Sequence, residues 1–563
     1  MRGEETNCTD IWRKYEAGRE HHRVQNLYRE TERCHRFYEG DQWHGCKSGG
    51  EELPMLNFIR PICKYKIATV AMNDTAIIYT AINSDPQAAQ LCNLLTEYAA
   101  GQWEQGKMDS RKWEIIKNAC IAGDHYLYCF DERQPSEAVV VDMEPRLKMR
   151  LVGRTAIYFS DEQNPEIDEQ EWIIIAERRP VEQVRKEAKK NGIDEVEIAR
   201  IVSDEVDDTQ IGYTDADEVD TDLGKCTSLL YMRMTEEGVA FARSTQAVVY
   251  QPEQTIPGLD VYPIAGMRWD AKEGSARGVG VVEPLIPNQI EVNRTIARRA
   301  ICVKRYSFPT AVYDANAIQN PGDLGKVGAS LKVQNLQGRS LSSMVQYLTP
   351  VSIGGDATLL QNELISMSRE LDGASEAATG QVDPTKTSGE AIKAARDQSA
   401  MSLNEQTAAY KQFVEDVARI WYKLWVVYSP GGMMIPTEQD GVVQDVMIDA
   451  SMLGEMDVNI RIDVSPIDPY SVLAREMALE NALAAGHITF EEYVDALDEN
   501  SGVPKDKFAA ILEARSVAQQ SAGQGVAAAM PGQSGDVAGD ALQMPVQGLP
   551  GVMGGEQDAL PLM

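Results

Sequence analysis

Apolar residues recur at helical spacing as far as Ala122, and then the pattern changes to alternation. Thr9 to Tyr38 reads as one long polar helix with Trp12, Tyr15, Val24, Leu27 and Tyr28 on a broken apolar side. It ends in Tyr38-Glu39-Gly40-Asp41-Gln42-Trp43, where Gly40 can stop a helix. Leu53-Pro54-Met55-Leu56-Asn57-Phe58-Ile59 then opens an apolar helix through Ile67 to Met72. Two more helices follow, Asp85 to Gln105 and Asp109 to Ala122, on the spacing of Leu91, Leu94, Leu95 and Tyr98 and of Trp113, Ile115, Ile116 and Ala119. Strands are expected at Tyr126–Phe130, Ala138–Val141, Leu147–Val152, Ala156–Phe159 and Trp172–Ile175, with a turn at Asp161-Glu162-Gln163-Asn164-Pro165. Val181 to Asn191 is a short basic helix. Leu229–Met234 and Val239–Arg243 form a hairpin across Glu236-Glu237-Gly238, and Ala247–Tyr250 is a further strand.

The stretch from Gly278 to Gly389 organises the rest. A helix is expected from about Val281, after Gly278-Val279-Gly280, with Pro284 near its first turn. Leu285, Ile286, Ile290, Ile296 and Ile301 make one stripe, and Arg294, Arg298, Arg299, Lys304 and Arg305 lie mostly off it. Phe308-Pro309 breaks the pattern, a short mixed region runs to Val333, and Gln337 to Asp356 reads as a pliable connection. Helical spacing returns from Ala357 to Leu371. After a polar linker, Thr387-x-x-Glu390 is a capping box that opens a long helix ending before Pro430-Gly431-Gly432. Val446–Ile448 and Val458–Ile462 read as strands, and Tyr470–Ala485, Thr489–Asp498 and Lys505–Gln519 as helices. Gln520 to Met563, rich in Gly, Pro, Ala, Gln and Met, is expected to be disordered. The fold class is therefore α+β, with several subdomains in 563 residues.

The chain is strongly acidic. With 54 Lys and Arg against 86 Asp and Glu, the formal net charge is −32. A chain so acidic is not built to wrap DNA by neutralising phosphates; the same acidity also serves solubility. The nine cysteines contain no C-x-x-C pair, as expected of reduced thiols made in a cytoplasm. Cys34-His35 with His44 and Cys46 matches no standard zinc spacing. The acids of Ser203 to Asp222 lack the Gly and terminal Glu of a calcium loop and read as a solvated insertion. Gly322 to Val327 lacks the first Gly and the Ser or Thr of a P-loop, Gly278-Val279-Gly280 lacks the third Gly of a dinucleotide fingerprint, and neither G-x-S-x-G nor H-E-x-x-H occurs. No active site, cofactor or metal is expected, nor a secretory signal or a membrane span.

Three stretches carry a family resemblance: Val279 to Lys304, Leu371-Asp372-Gly373-Ala374-Ser375, and Thr387-Ser388-Gly389-Glu390-Ala391-Ile392. With the Tyr-x-Gly-x-Gln-Trp stop, the Trp172-led strand after an acidic Pro turn, and Gly486 to Glu492, their succession resembles the portal proteins of tailed double-stranded DNA bacteriophages. The resemblance implies a ring, typically a dodecamer, at one capsid vertex of the virion, assembled in the host cytoplasm. Its partners would be the terminase large subunit, the head–tail adaptor, the major capsid and scaffolding proteins, and duplex DNA passing through the channel, with no membrane. It implies a wing at 1–280, a first stem helix at 281–304, a clip and returning stem at 305–336, a channel loop at 337–356, bridging helices at 357–430, a crown at 431–519 and a tail at 520–563. Val351, Ser352, Ile353, Gly354 and Gly355 would belong to the channel loop, or to a plain surface connection. Arg294, Arg298, Arg299, Lys304 and Arg305 would form basic stem rings, or pair with acids of the neighbouring subunit. The alternatives are another phage head–tail connector, or an enzyme whose catalytic cluster no motif nominates.

Overall fold

A computed structural model of the chain describes residues 7–47, 53–81, 86–131, 133, 147–204, 224–307, 310–324, 326, 328, 330–334, 338–340, 344–348, 355–374, 401–429, 432–439, 442–448, 458–466, 479, 483, 487–490 and 493. The fold mixes helix and sheet, as α+β requires. All elements through residue 466 belong to one compact unit. Ala138–Val141, the insertion beyond Asp204, the capping box at Thr387, most of the expected C-terminal helices and the tail lie outside the described residues.

The N-terminal helix is two helices, α1 (Cys8–Val24) and α2 (Leu27–Glu39). Between them Asn26 adopts a left-handed φ of 56°, which Asn tolerates better than most residues, and no periodicity announces it. Next come α3 (Ile59–Ala71), β1 (Asn73–Ala81), α4 (Pro86–Gln105) and α5 (Met108–Ala122). Strand β1 was not expected. Its antiparallel partner is the last described strand, from Asn73 opposite Pro466 to Ala81 opposite Val458.

The β-rich part holds β2 (Asp124–Asp131), β3 (Leu147–Gly153), β4 (Ile157–Phe159), β5 (Trp172–Pro180), α6 (Val181–Lys190) and α7 (Glu195–Ile198). Strands β6 (Lys225–Thr235), β7 (Gly238–Ser244), β8 (Val249–Pro257) and β9 (Ile264–Arg268) follow. An antiparallel sheet runs β4-β5-β6-β7-β8, and a second runs β3-β2-β9. Short strands β10 (Asp270–Ala271) and β11 (Gly278–Val279) then deliver the chain to α8 (Val282–Ser307). Here the glycines answer a packing need. A Cβ on Gly280 would lie 2.5 Å from Ile121 O, and one on Gly123 would lie 2.2 Å from Gly278 O. The end of α5 and the start of α8 touch backbone to backbone.

Beyond α8, β12 (Thr310–Tyr313) pairs antiparallel with β13 (Val345–Leu348), and α9 (Asp356–Leu371) follows. Helix α9 returns along α8 in the opposite direction: Asn288 Nδ2 donates to Ser368 Oγ at 3.1 Å and Arg299 Nη1 to Gln361 Oε1 at 2.8 Å. Among the described residues the helix that runs back along α8 is α9, whereas a returning stem was expected within 305–336. The described residues there hold the end of α8, β12, a short turn at Pro321–Asp323 and an isolated bridge between Ile318 and Val333. The pliable stretch expected at 337–356 contains β13. The 357–371 periodicity was legible; its partner was not, because spacing marks a face and not what covers it.

Helix α9 ends in a Schellman motif. Gly373 takes φ 72°, Ala374 N–H donates to Arg369 O at 2.9 Å, and Gly373 N–H to Glu370 O at 3.1 Å. Ala374 is fully buried, and Lys66 Nζ of α3 donates to Asp372 Oδ1 at 2.8 Å. The long helix expected from Ser388 is interrupted by a turn at Ser402–Leu403 before α10 (Asn404–Tyr428). Hairpin β14 (Met433–Gln439) and β15 (Val442–Ile448) precedes β16 (Val458–Pro466). One large core joins α2, α3, α4, α5, β2, β9, α8 and α10 around Trp269, Trp421 and Trp425. Among the described residues no helix is long and apolar enough to cross a membrane.

Candidate functional site

Helix α8 carries Arg294, Arg298, Arg299, Lys304 and Arg305, and α9 packs along it. Buried amides on α8 hold the chain entering α3. Gln289 Oε1 accepts from Phe58 N–H at 3.0 Å while its Nε2 donates to Leu56 O at 2.8 Å. Asn293 Oδ1 accepts from Leu56 N–H at 3.2 Å, and its Nδ2 donates to Gln42 Oε1 at 2.6 Å. Gln42 Nε2 and Asn57 Nδ2 both donate to Phe37 O, and Trp43 Nε1 donates to Pro54 O. Every one of these polar atoms needs a partner once water is excluded. The Tyr-x-Gly-x-Gln-Trp stop and Asn57 are thus the plug that docks the N-terminal segment onto α8.

A second buried cluster sits just before α8. Arg277 Nε and Nη2 each donate to Glu162 at 2.8 Å; Nη1 donates to Arg154 O at 2.9 Å and Nη2 to Ile157 O at 2.8 Å. His22 Nε2 lies 3.0 Å from Glu162 Oε1 and 2.9 Å from Arg277 Nη2, and its ring stacks on Tyr158 at 4.6 Å. Asp124 joins through Arg154 Nη2 at 3.2 Å and accepts from Gly278 N–H at 3.1 Å. Burial holds the His22 imidazole down to about 4, so it stays neutral; burial pushes the Glu162 carboxyl up, but the charge and hydrogen bonds of Arg277 and the hydrogen bond to His22 together outweigh it and hold that carboxyl well below the carboxylate range. This cluster ties α1, the β4–β5 turn and the α8 entry into one body. No motif nominated it; Glu162 appeared only as a turn residue.

The five basic residues divide. Arg294 and Arg298 are exposed on α8, with Glu291 3.8 Å and 3.2 Å away. Arg305 falls on the same row, since 294, 298 and 305 differ by four and seven. Arg299 is half-buried and turned to Gln361 of α9, and Lys304 is exposed near the helix end. Of the five loop residues, Val351, Ser352, Ile353 and Gly354 lie outside the described residues. Gly355 is exposed and its carbonyl accepts from Thr358 and Leu359 in the first turn of α9.

The chemistry elsewhere is that of packing. Cys34 is pushed up to about 12 and His35 down to about 4 by burial, while Cys46 is exposed and His44 Nδ1 sits 3.3 Å from Asp41. Among the described residues no group of three or more His, Cys, Asp or Glu is placed to hold a metal ion. A cavity of about 500 Å3 lies between the Asn164–Gln170 loop and α10. Asp168 and Asp416 line it, and burial raises both carboxyls, Asp416 to about 6. Among the described residues no His, Cys or Ser lines this cavity beside them. No protein-family model matches this chain, and no curated protein matches it.

Proposed function

We propose that this chain is a portal subunit: copies close into a ring at one capsid vertex, and the ring is the channel through which duplex DNA is packaged and ejected. The terminase motor docks on it first and the head–tail adaptor later. The observation that carries the reading is the antiparallel pair α8/α9, locked at its base to a mixed α/β body by buried amides and joined at its other end through β12 and β13. A channel wall needs long elements with a fixed base and outer faces left for neighbours; α8 spans 26 residues and α9 16, their base is anchored, and both carry exposed side chains.

In this reading the stem is α8 with α9, and residues 308–355 are the clip, so Val351 to Gly355 belong to the clip. The channel loop is then assigned to the connection between α9 and α10, of which 375–400 lie outside the described residues. Its roots stand together: a Cβ on Gly373 would meet Ser402 Oγ at 2.9 Å. The acidity of the chain suits a passage in which DNA must slide, because each fixed Lys or Arg contact to phosphate adds affinity.

Negative-stain microscopy and mass photometry of the purified 62.2 kDa chain test the proposal. Rings with an axial hole support it, and single chains under every assembly condition overturn it. Purified rings should also bind duplex DNA only weakly at physiological salt; nanomolar binding would count against a sliding passage.

A further inference from the structure

Helix α9 is apolar on two sides. Leu364 and Ile365 pack on the body and Ser368 is buried, whereas Leu359, Leu360, Met367 and Leu371 face outward, Met367 at 58% and Leu371 at 87% exposure. An outward apolar stripe of this size on one helix calls for a partner surface. Alongside it Asp356, Glu363 and Glu370 stand seven residues apart, in one exposed acidic row. Helix α8 shows the opposite sign. It carries five cations against two acids, with Arg294, Arg298 and Arg305 in an outward row and Val303 and Tyr306 exposed nearby.

We infer that a second copy of this chain covers this face, head to tail: the Leu360–Met367–Leu371 stripe and acidic row of α9 in one copy meet the basic row of α8 in the next. Charge selects this arrangement. A two-fold contact of α9 on α9 sets acids against acids, while α9 on α8 joins unlike surfaces, the kind of contact that closes rings. Register supports it. The bonds Arg299–Gln361 and Asn288–Ser368 fix the relative height of the two helices within a chain. At about 1.5 Å per residue, Asp356 then stands near the level of Arg305, and Glu363 near that of Arg298. Copies rotated about an axis along the helices share these levels, so the two rows match in height without an axial shift.

The inference rests on the ring reading, and a charge swap separates the two. One variant carries Asp356→Lys with Glu363→Lys, a second Arg298→Glu with Arg305→Glu, and a third all four changes. Far-UV circular dichroism checks that each is folded, and mass photometry reads assembly across concentration. The first two are expected to raise the concentration needed for assembly by about tenfold or more, and the third to restore it. Met367→Ser with Leu371→Ser should weaken assembly without rescue. If the unaltered chain forms rings and the two-site variants assemble equally well, or the four-site variant is no better than they are, the interface is overturned while the ring stands. If the unaltered chain never assembles, both fall.

Discussion

Replacing Glu162 by Gln preserves shape and removes the charge that answers Arg277. Both side chains are buried, at 9% exposure each, and two bonds of 2.8 Å join them. Breaking a buried pair by neutralising one partner costs about 3–5 kcal/mol, because the other charge is left without compensation. Arg277 keeps the carbonyls of Arg154 and Ile157 and has Asp124 at 3.6 Å, which places the cost near the low end, about 3 kcal/mol. Urea unfolding at pH 7, followed by tryptophan fluorescence, is the assay; Trp269 and Trp421 are both buried reporters. The exposed Glu171→Gln is the control, expected within about 0.5 kcal/mol of the parent. The pH matters. Glu162 has a folded value below its unfolded one near 4.5, so its contribution is complete above that pH and fades as the pH falls further. A cost for Glu162→Gln below about 1 kcal/mol, or one equal to the control, would refute the view that this cluster locks the α8 entry.

Further outcomes follow from the same geometry. His22, His35 and His125 are each lowered by burial to about 4, so the unfolded chain takes up protons first; stability should fall as pH drops from about 6.5 toward 4, and His22→Asn should flatten that slope in a pH series of urea unfolding. Gly280→Ala should destabilise by about 2 kcal/mol or more through its clash with the Ile121 carbonyl, whereas Gly322→Ala, which meets nothing within 4 Å, should be nearly neutral in the same thermal melt. In thiol titration of the native protein Cys46 should react at once, while Cys34 and Cys129, both pushed up to about 12 by burial, should react only on unfolding.

The sequence alone determined the elements whose signal is local. The stripes at 91–98, 115–119 and 285–301 became α4, α5 and α8, and the Glu236-Glu237-Gly238 turn became the β6–β7 hairpin, because spacing and turn chemistry act within a few residues. Tertiary structure decided what those elements meet. It paired β1 with β16 across most of the chain, chose α9 as the companion of α8, brought β13 back to β12, and gathered His22, Glu162 and Arg277 from three distant segments. The rows Arg294–Arg298–Arg305 and Asp356–Glu363–Glu370 were present in the sequence as spacings. That they stand outward at matching heights follows only from the packing of two helices, since periodicity fixes a face and contact fixes where it points.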